Sequence, residues 1–168
     1  MQEGSFVVFL KNKLQRFKGQ TVSRASSKAE TDFSAIDFIK IIDVDSFGNL
    51  MLLVFNDFFL SIDFGNSGSM LVNKTKKTAA DFSLHFPHSE INFYSCETEM
   101  HQGNPNDYFQ FPTDILNKKF DGELALSKLQ QHFAEENIGN ALMEKSVFVG
   151  MGDLIRTEAL YRAKIHPE

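Results

Sequence analysis

Tryptophan is absent and cysteine nearly so: Cys96 stands alone in 168 residues. One thiol excludes a disulfide within the chain and a zinc site built from several cysteines. Basic charge is short too, with 17 Lys and Arg against 22 Asp and Glu, a formal net charge of −5. Affinity for nucleic acid draws on counterions released by phosphate contacts, so a chain with this balance would need a local basic face to bind one. No apolar run approaches the roughly 20 residues of a membrane-spanning helix. The opening has no basic stretch followed by a long apolar segment. These absences predict a cytoplasmic protein with no membrane partner. No spacing of His, Cys or acidic residues suggests a metal or a cofactor; His85 and His88, three apart, are expected to span a turn.

Phenylalanine is abundant instead, with 18 copies, many in alternating patterns that suit the core of a sheet. Residues 3–17 predict an amphipathic helix, with Phe6, Phe9, Leu10, Leu14 and Phe17 on one face and Gly19 as its stop. Residues 23–34 are small and polar and predict a loop or frayed strand ends. Strands are expected over 38–44, 50–55, 58–64, 69–72, 81–86 and 90–96, with a tight turn at Asn56-Asp57 and another around Pro87-His88-Ser89. Many strands at short spacing without helices between them imply antiparallel sheets packed as a sandwich. Residues 101–112, with Gly103, Pro105 and Pro112, read as a linker. Helices are expected after it over 121–136, 138–145 and 150–164, the first offering Leu124, Leu126, Leu129 and Phe133 for burial. The fold class is α+β: an N-terminal helix plus antiparallel β-sandwich over 1–112, followed by a small helical domain over 113–168.

Several motifs carry a resemblance. Residues 148–168 read FVGMGDLIRTEALYRAKIHPE: an apolar lead-in, a Gly-x-Gly turn, a helix containing Glu158, and an Ile165-His166-Pro167 ending. The first helix closes on FKGQTV, and Thr113-Asp114-Ile115-Leu116 precedes the helical part. Together with the order helix, sandwich, helices, this resembles the formamidopyrimidine-DNA glycosylase/endonuclease VIII family of DNA-repair proteins. Residues 148–168 then correspond to part of its helix–two-turns–helix domain. Gly150 and Gly152 let the turn approach a phosphate closely, and the helix that follows offers free N–H groups.

The resemblance implies a chemistry and a set of departures from it. In the family an N-terminal proline amine attacks C1′ of a damaged nucleoside, forms a Schiff base and nicks the strand, with a following Glu handling protons. Here the opening is Met1-Gln2-Glu3-Gly4-Ser5-Phe6. Glu3 and Gly4 match, Gln2 replaces the proline, and the α-amine of Met1 is the remaining nucleophile, displaced by one residue. Asn49 stands where a phosphate-binding lysine is expected. Asp63, Asn66 and Ser69 stand for a His, the Met inserted into the duplex, and an Arg. Asp153 stands for the turn Asn, and an ionised carboxylate cannot donate to a phosphate. The expected vestigial catalytic residues are therefore Met1, Gln2 and Glu3, and the expected DNA-binding positions are Asn49, Asn66, Gly150, Gly152 and Asp153. The short basic groups Lys74, Lys76, Lys77 and Lys118, Lys119 could add phosphate contacts or be solvated surface.

Relative to the family the chain is expected to lack the C-terminal zinc or zincless finger, to expose apolar helix surface, and to cover it with a homodimer or protein partner. The function implied is a relative that binds damaged or abasic double-stranded DNA with lost or reduced glycosylase and lyase activity. Two alternatives stay open: an active base-excision glycosylase and abasic-site lyase using a non-standard N-terminal amine, and a non-catalytic protein-interaction module on the same scaffold.

Overall fold

The computed structural model describes residues 4–28 and 32–167. The expected catalytic residues Met1, Gln2 and Glu3 lie outside the described residues. Helix α1 (Gly4–Leu14) runs into a short 3-10 turn (Gln15–Phe17). Eight strands follow: β1 (Arg24–Ser27), β2 (Asp43–Phe47), β3 (Leu50–Val54), β4 (Phe58–Asp63), β5 (Ser69–Val72), β6 (Phe82–Phe86), β7 (Ser89–Tyr94) and β8 (Glu97–Gln102). They form two antiparallel sheets, in the orders β1-β6-β7-β5 and β2-β3-β4-β8. Helices α2 (Pro105–Tyr108), α3 (Gly122–His132), α4 (Ile138–Ala141) and α5 (Asp153–Ala163) complete the chain.

One core joins the sheets and α1. Val44, Met51, Leu53, Leu60 and Ile62 from one sheet meet Met70, Phe82, Leu84, Ile91 and Phe93 from the other, and Val7, Leu10, Leu14 and Phe17 close the end. Alternation with period two drives this, because every second side chain of a strand faces the same way.

Several expectations need correction. Residues 38–44 are not one strand: Phe38 is exposed with φ 63, a left-handed conformation that breaks an extended run, and pairing begins only at Asp43. Phe9 is 54% exposed, so the buried stripe of α1 passes through Val7 instead. Strand β8 was not expected, because its polar run Glu97-Thr98-Glu99 carries little apolar signal; it is an edge strand ordered by pairing with β4. The supposed linker is structured: α2 begins with a reciprocal capping box between Asn104 and Asp107, and Phe109 and Phe111 pack on the outer face of the second sheet. In α3 only Ala125 is buried, while Leu124 and Leu126 are exposed at 37% and 54%. Leu154, Tyr161 and Ile165 near α5 are also exposed.

Candidate functional site

The sandwich and the helical part meet at a node of close backbone contacts. Gly48 occupies the β2–β3 turn with φ +57, and a β-carbon there would stand 2.7 Å from Cγ1 of Val149. A β-carbon on Gly4, at the start of α1, would lie 3.0 Å from the Gly48 carbonyl oxygen and 3.2 Å from Cα of Gly150. The absence of side chains here lets three segments distant in sequence touch.

Asp114 fastens the node. Its carboxylate accepts the Gly48 N–H at Oδ2 and the Leu116 N–H at Oδ1, both at 2.9 Å. It is only 2% exposed. Burial pushes its pKa above the ordinary value, against the opposing pull of the two backbone donors. On either side of it the Val149 N–H donates to the Thr113 carbonyl at 2.9 Å and the Ile115 N–H to the Val149 carbonyl at 3.1 Å. The sequence marked Asp114 only through the resemblance of its segment; its bond to Gly48, 66 residues away, has no local sequence signal.

Beside the node lies a cleft of about 430 Å³. Asn49, Lys145, Gly150, Gly152 and Asp153 line it on the polar side, and Phe47 and Phe109 on the apolar side. Four of the expected DNA-binding positions (Asn49, Gly150, Gly152 and Asp153) are thus brought together. The fifth, Asn66, is exposed in the β4–β5 turn and does not line this cleft. Lys145, Phe47 and Phe109 were missed. Lys145, an isolated cation five residues before Gly150, was the detectable signal among them.

The polar side differs in detail from a bare row of substitutions. The Asn49 amide donates to Asp63, at 3.2 Å to Oδ1 and 3.3 Å to Oδ2. Asp63 Oδ1 also accepts the Gly65 N–H at 2.8 Å, so one carboxylate orders both the β2–β3 turn and the turn that carries Asn66. At α5 the N-cap is Gly152, which has no side chain to satisfy the first-turn N–H groups, and Asp153 follows it inside the helix. Asp153 carries its own counter-ion: Arg156 approaches its Oδ1 to 3.0 Å. The pair offsets much of the local negative charge at this turn.

The lysine groups sit elsewhere. Lys76 Nζ lies 4.7 Å from the centre of the Tyr94 ring, and Lys119 Nζ lies 5.4 Å from that of Phe111. A shallower hollow of about 500 Å³ at Ser27, Asp81 and Cys96 holds the one thiol. Burial pushes the Cys96 pKa up to about 11, despite a hydrogen bond with Thr98, so the nucleophilic thiolate is scarce at neutral pH. No group of three or more potential metal ligands exists among the described residues.

Two packed antiparallel sheets with an N-terminal helix, joined through a glycine node to a helical part, define the fold of a DNA glycosylase of the Lactococcus lactis type. The crystal structure of Lactococcus lactis formamidopyrimidine-DNA glycosylase bound to DNA containing an AP site superposes with a TM-score of 0.81 at 19% identity, covering 99% of this chain and 70% of that one. In sequence, endonuclease 8-like 2 of Mus musculus is 32% identical over 122 residues, which is 65% of this chain and 35% of that protein. Formamidopyrimidine-DNA glycosylase of Rickettsia bellii (strain OSU 85-389) is 29% identical over 131 residues, 66% of this chain and 47% of that protein. No family model matches the chain. The chain belongs to the formamidopyrimidine-DNA glycosylase/endonuclease VIII family, and its match spans less than half the length of these curated relatives.

Proposed function

We propose that this chain binds double-stranded DNA at a lesion or an abasic site, with glycosylase and lyase activity lost or strongly reduced. The observation that carries the reading is the Asn49–Asp63 bond. Both residues stand where the family resemblance expects phosphate-directed cations, and here an amide and a carboxylate satisfy each other. Gln2 in place of the proline nucleophile supports the same conclusion. Retained binding is supported by Lys145 in the cleft, by the side-chain-free Gly152 cap of α5, and by the pairing of Asp153 with Arg156. Such a cleft can grip a backbone phosphate through N–H groups and one ammonium while lacking the machinery to displace a base.

Two measurements on the full chain test this. Anisotropy titrations should show tighter binding to a duplex with a tetrahydrofuran abasic analogue than to the intact duplex, with affinity falling as salt rises. Equal affinity for the two duplexes would overturn the lesion reading. Borohydride trapping on a natural abasic-site duplex should give little cross-link; efficient trapping through the Met1 amine would overturn the loss of activity.

A second reading is favoured by the exposed apolar residues of the helical part, with Leu154 at 71% and Tyr161 at 79%. A second copy of this chain, or another protein, covers that face. Sedimentation at tens of micromolar should detect self-association, and a strict monomer would remove the homodimer.

A further inference from the structure

The apolar side of the cleft has no part in gripping phosphate. Phe47 ends β2 and Phe109 follows α2, and their rings stack with centroids 4.7 Å apart and planes 27° from parallel. Phe111 meets Phe47 edge-on at 5.6 Å and anchors the pair on the outer face of the second sheet. Phe47 and Phe109 are nonetheless only half-buried, and both line the cleft. The wall is therefore braced from behind and open in front. A hydrophobic cluster serving packing alone would bury its rings; this one keeps ring surface facing a cavity of about 430 Å³, a size typical of sites for small planar ligands.

The surroundings narrow the guest. Met143 and Met151 line the same space, and thioethers make favourable contacts with aromatic rings. Lys145 stands on the same cleft, so a flat apolar guest that carries an anionic backbone fits both sides at once. Hydrogen-bond readout is weak by comparison, since the Asn49 amide is already engaged by Asp63. Every nucleobase has a π-face, and stacking on aromatic side chains is tolerant of base identity.

We propose that Phe47 and Phe109 form a stacking platform for one unpaired nucleobase of the bound strand, held by its face rather than by its edge. This rests on the DNA-binding reading above. An abasic site itself leaves the platform empty, whereas a mismatched or bulged base fills it.

The test uses two duplexes, one with a single bulged 2-aminopurine and one with a tetrahydrofuran abasic analogue, and the full chain as wild type, Phe47→Leu and Phe109→Leu. Binding of wild type should quench the 2-aminopurine. Each variant should lose most of the quenching and bind the bulged duplex roughly tenfold more weakly, while its affinity for the abasic duplex stays within about twofold. The two variants cover each other if one fails to fold. Binding without quenching, or equal weakening on both duplexes, overturns the platform and leaves the DNA-binding reading standing. No binding of wild type to either duplex overturns that reading, and the platform with it.

Discussion

Replacing Asp114 with alanine removes the acceptor that joins the β2–β3 turn to the helical part. The Gly48 N–H is buried and has this carboxylate as its partner at 2.9 Å. The Leu116 N–H, also at 2.9 Å, is partly buried and can recover some hydration. A buried donor left without a partner costs about 1–3 kcal/mol. Removing the carboxylate also relieves its own desolvation, and its raised pKa shows that burial outweighs the two donors for the charged form. The sum is a loss of about 2–3 kcal/mol for Asp114→Ala. For a chain of this size that is a fall in Tm of roughly 4–12 °C, readable by calorimetry or by urea unfolding. Asp114→Asn keeps the shape but turns an NH₂ toward one of the two donors, so it should destabilise as well.

The pH dependence gives an independent check. A carboxyl whose folded pKa lies above its unfolded value binds its proton more tightly in the folded state. Its stabilising contribution is complete below the ordinary value of 3.8 and is lost as pH rises through the raised folded pKa. The stability gap between wild type and Asp114→Asn should therefore narrow as pH rises across that window. An Asp114→Ala variant within about 0.5 kcal/mol of wild type, or a gap that widens with pH, would refute the account of the node.

Gly48→Ala should destabilise by about 1–3 kcal/mol in urea unfolding, because the φ of +57 disfavours a β-carbon and that carbon would stand 2.7 Å from Val149. Asn49→Lys should strengthen binding to abasic duplex and steepen the log affinity against log salt slope by about 1, the signature of one added phosphate contact. Arg156→Ala exposes the Asp153 carboxylate without its counter-ion, which now sits at 3.0 Å, and should weaken DNA binding several-fold, most clearly at low salt; unchanged affinity across salt would detach this turn from the DNA.

The legible parts of the fold were those with strong local periodicity. Strands β3 to β7 follow from alternating apolar residues, and Asn56-Asp57 marks the turn between β3 and β4. What was not legible depended on tertiary context. Phe38-Ile39 with Ile41-Ile42 is as apolar as a strand, yet Phe38 takes a left-handed conformation and donates its N–H to Val22 at 2.7 Å. Strand β8 has few apolar residues because one neighbour, β4, supplies its order. Around the site, Gly150, Gly152 and Asp153 announced themselves as a motif, whereas the Gly48–Asp114 bond and the Phe47–Phe109 stack join residues more than sixty positions apart.

The substitutions at Asn49 and Asp63 gain meaning only as a pair. Taken one at a time, each is a lost cation, and losses of that kind accumulate in a decaying site. Decay alone gives no reason for the two replacements to satisfy each other, or for Asp63 Oδ1 also to hold the Gly65 N–H at 2.8 Å. The bond carries a structural task that separate phosphate-directed cations would not perform: it ties the β2–β3 turn to the β4–β5 turn without needing DNA. The matching expectation is that Asn49→Ala and Asp63→Ala each destabilise the free protein, and that the double variant costs less than their sum. Exposed or half-exposed pairs of this type are worth about 0.5–1.5 kcal/mol, and a double-mutant cycle resolves a coupling of that size. A coupling near zero would reduce the pair to two independent losses; a clear one means that the turns have been refitted for a protein that holds its cleft in shape before any ligand arrives.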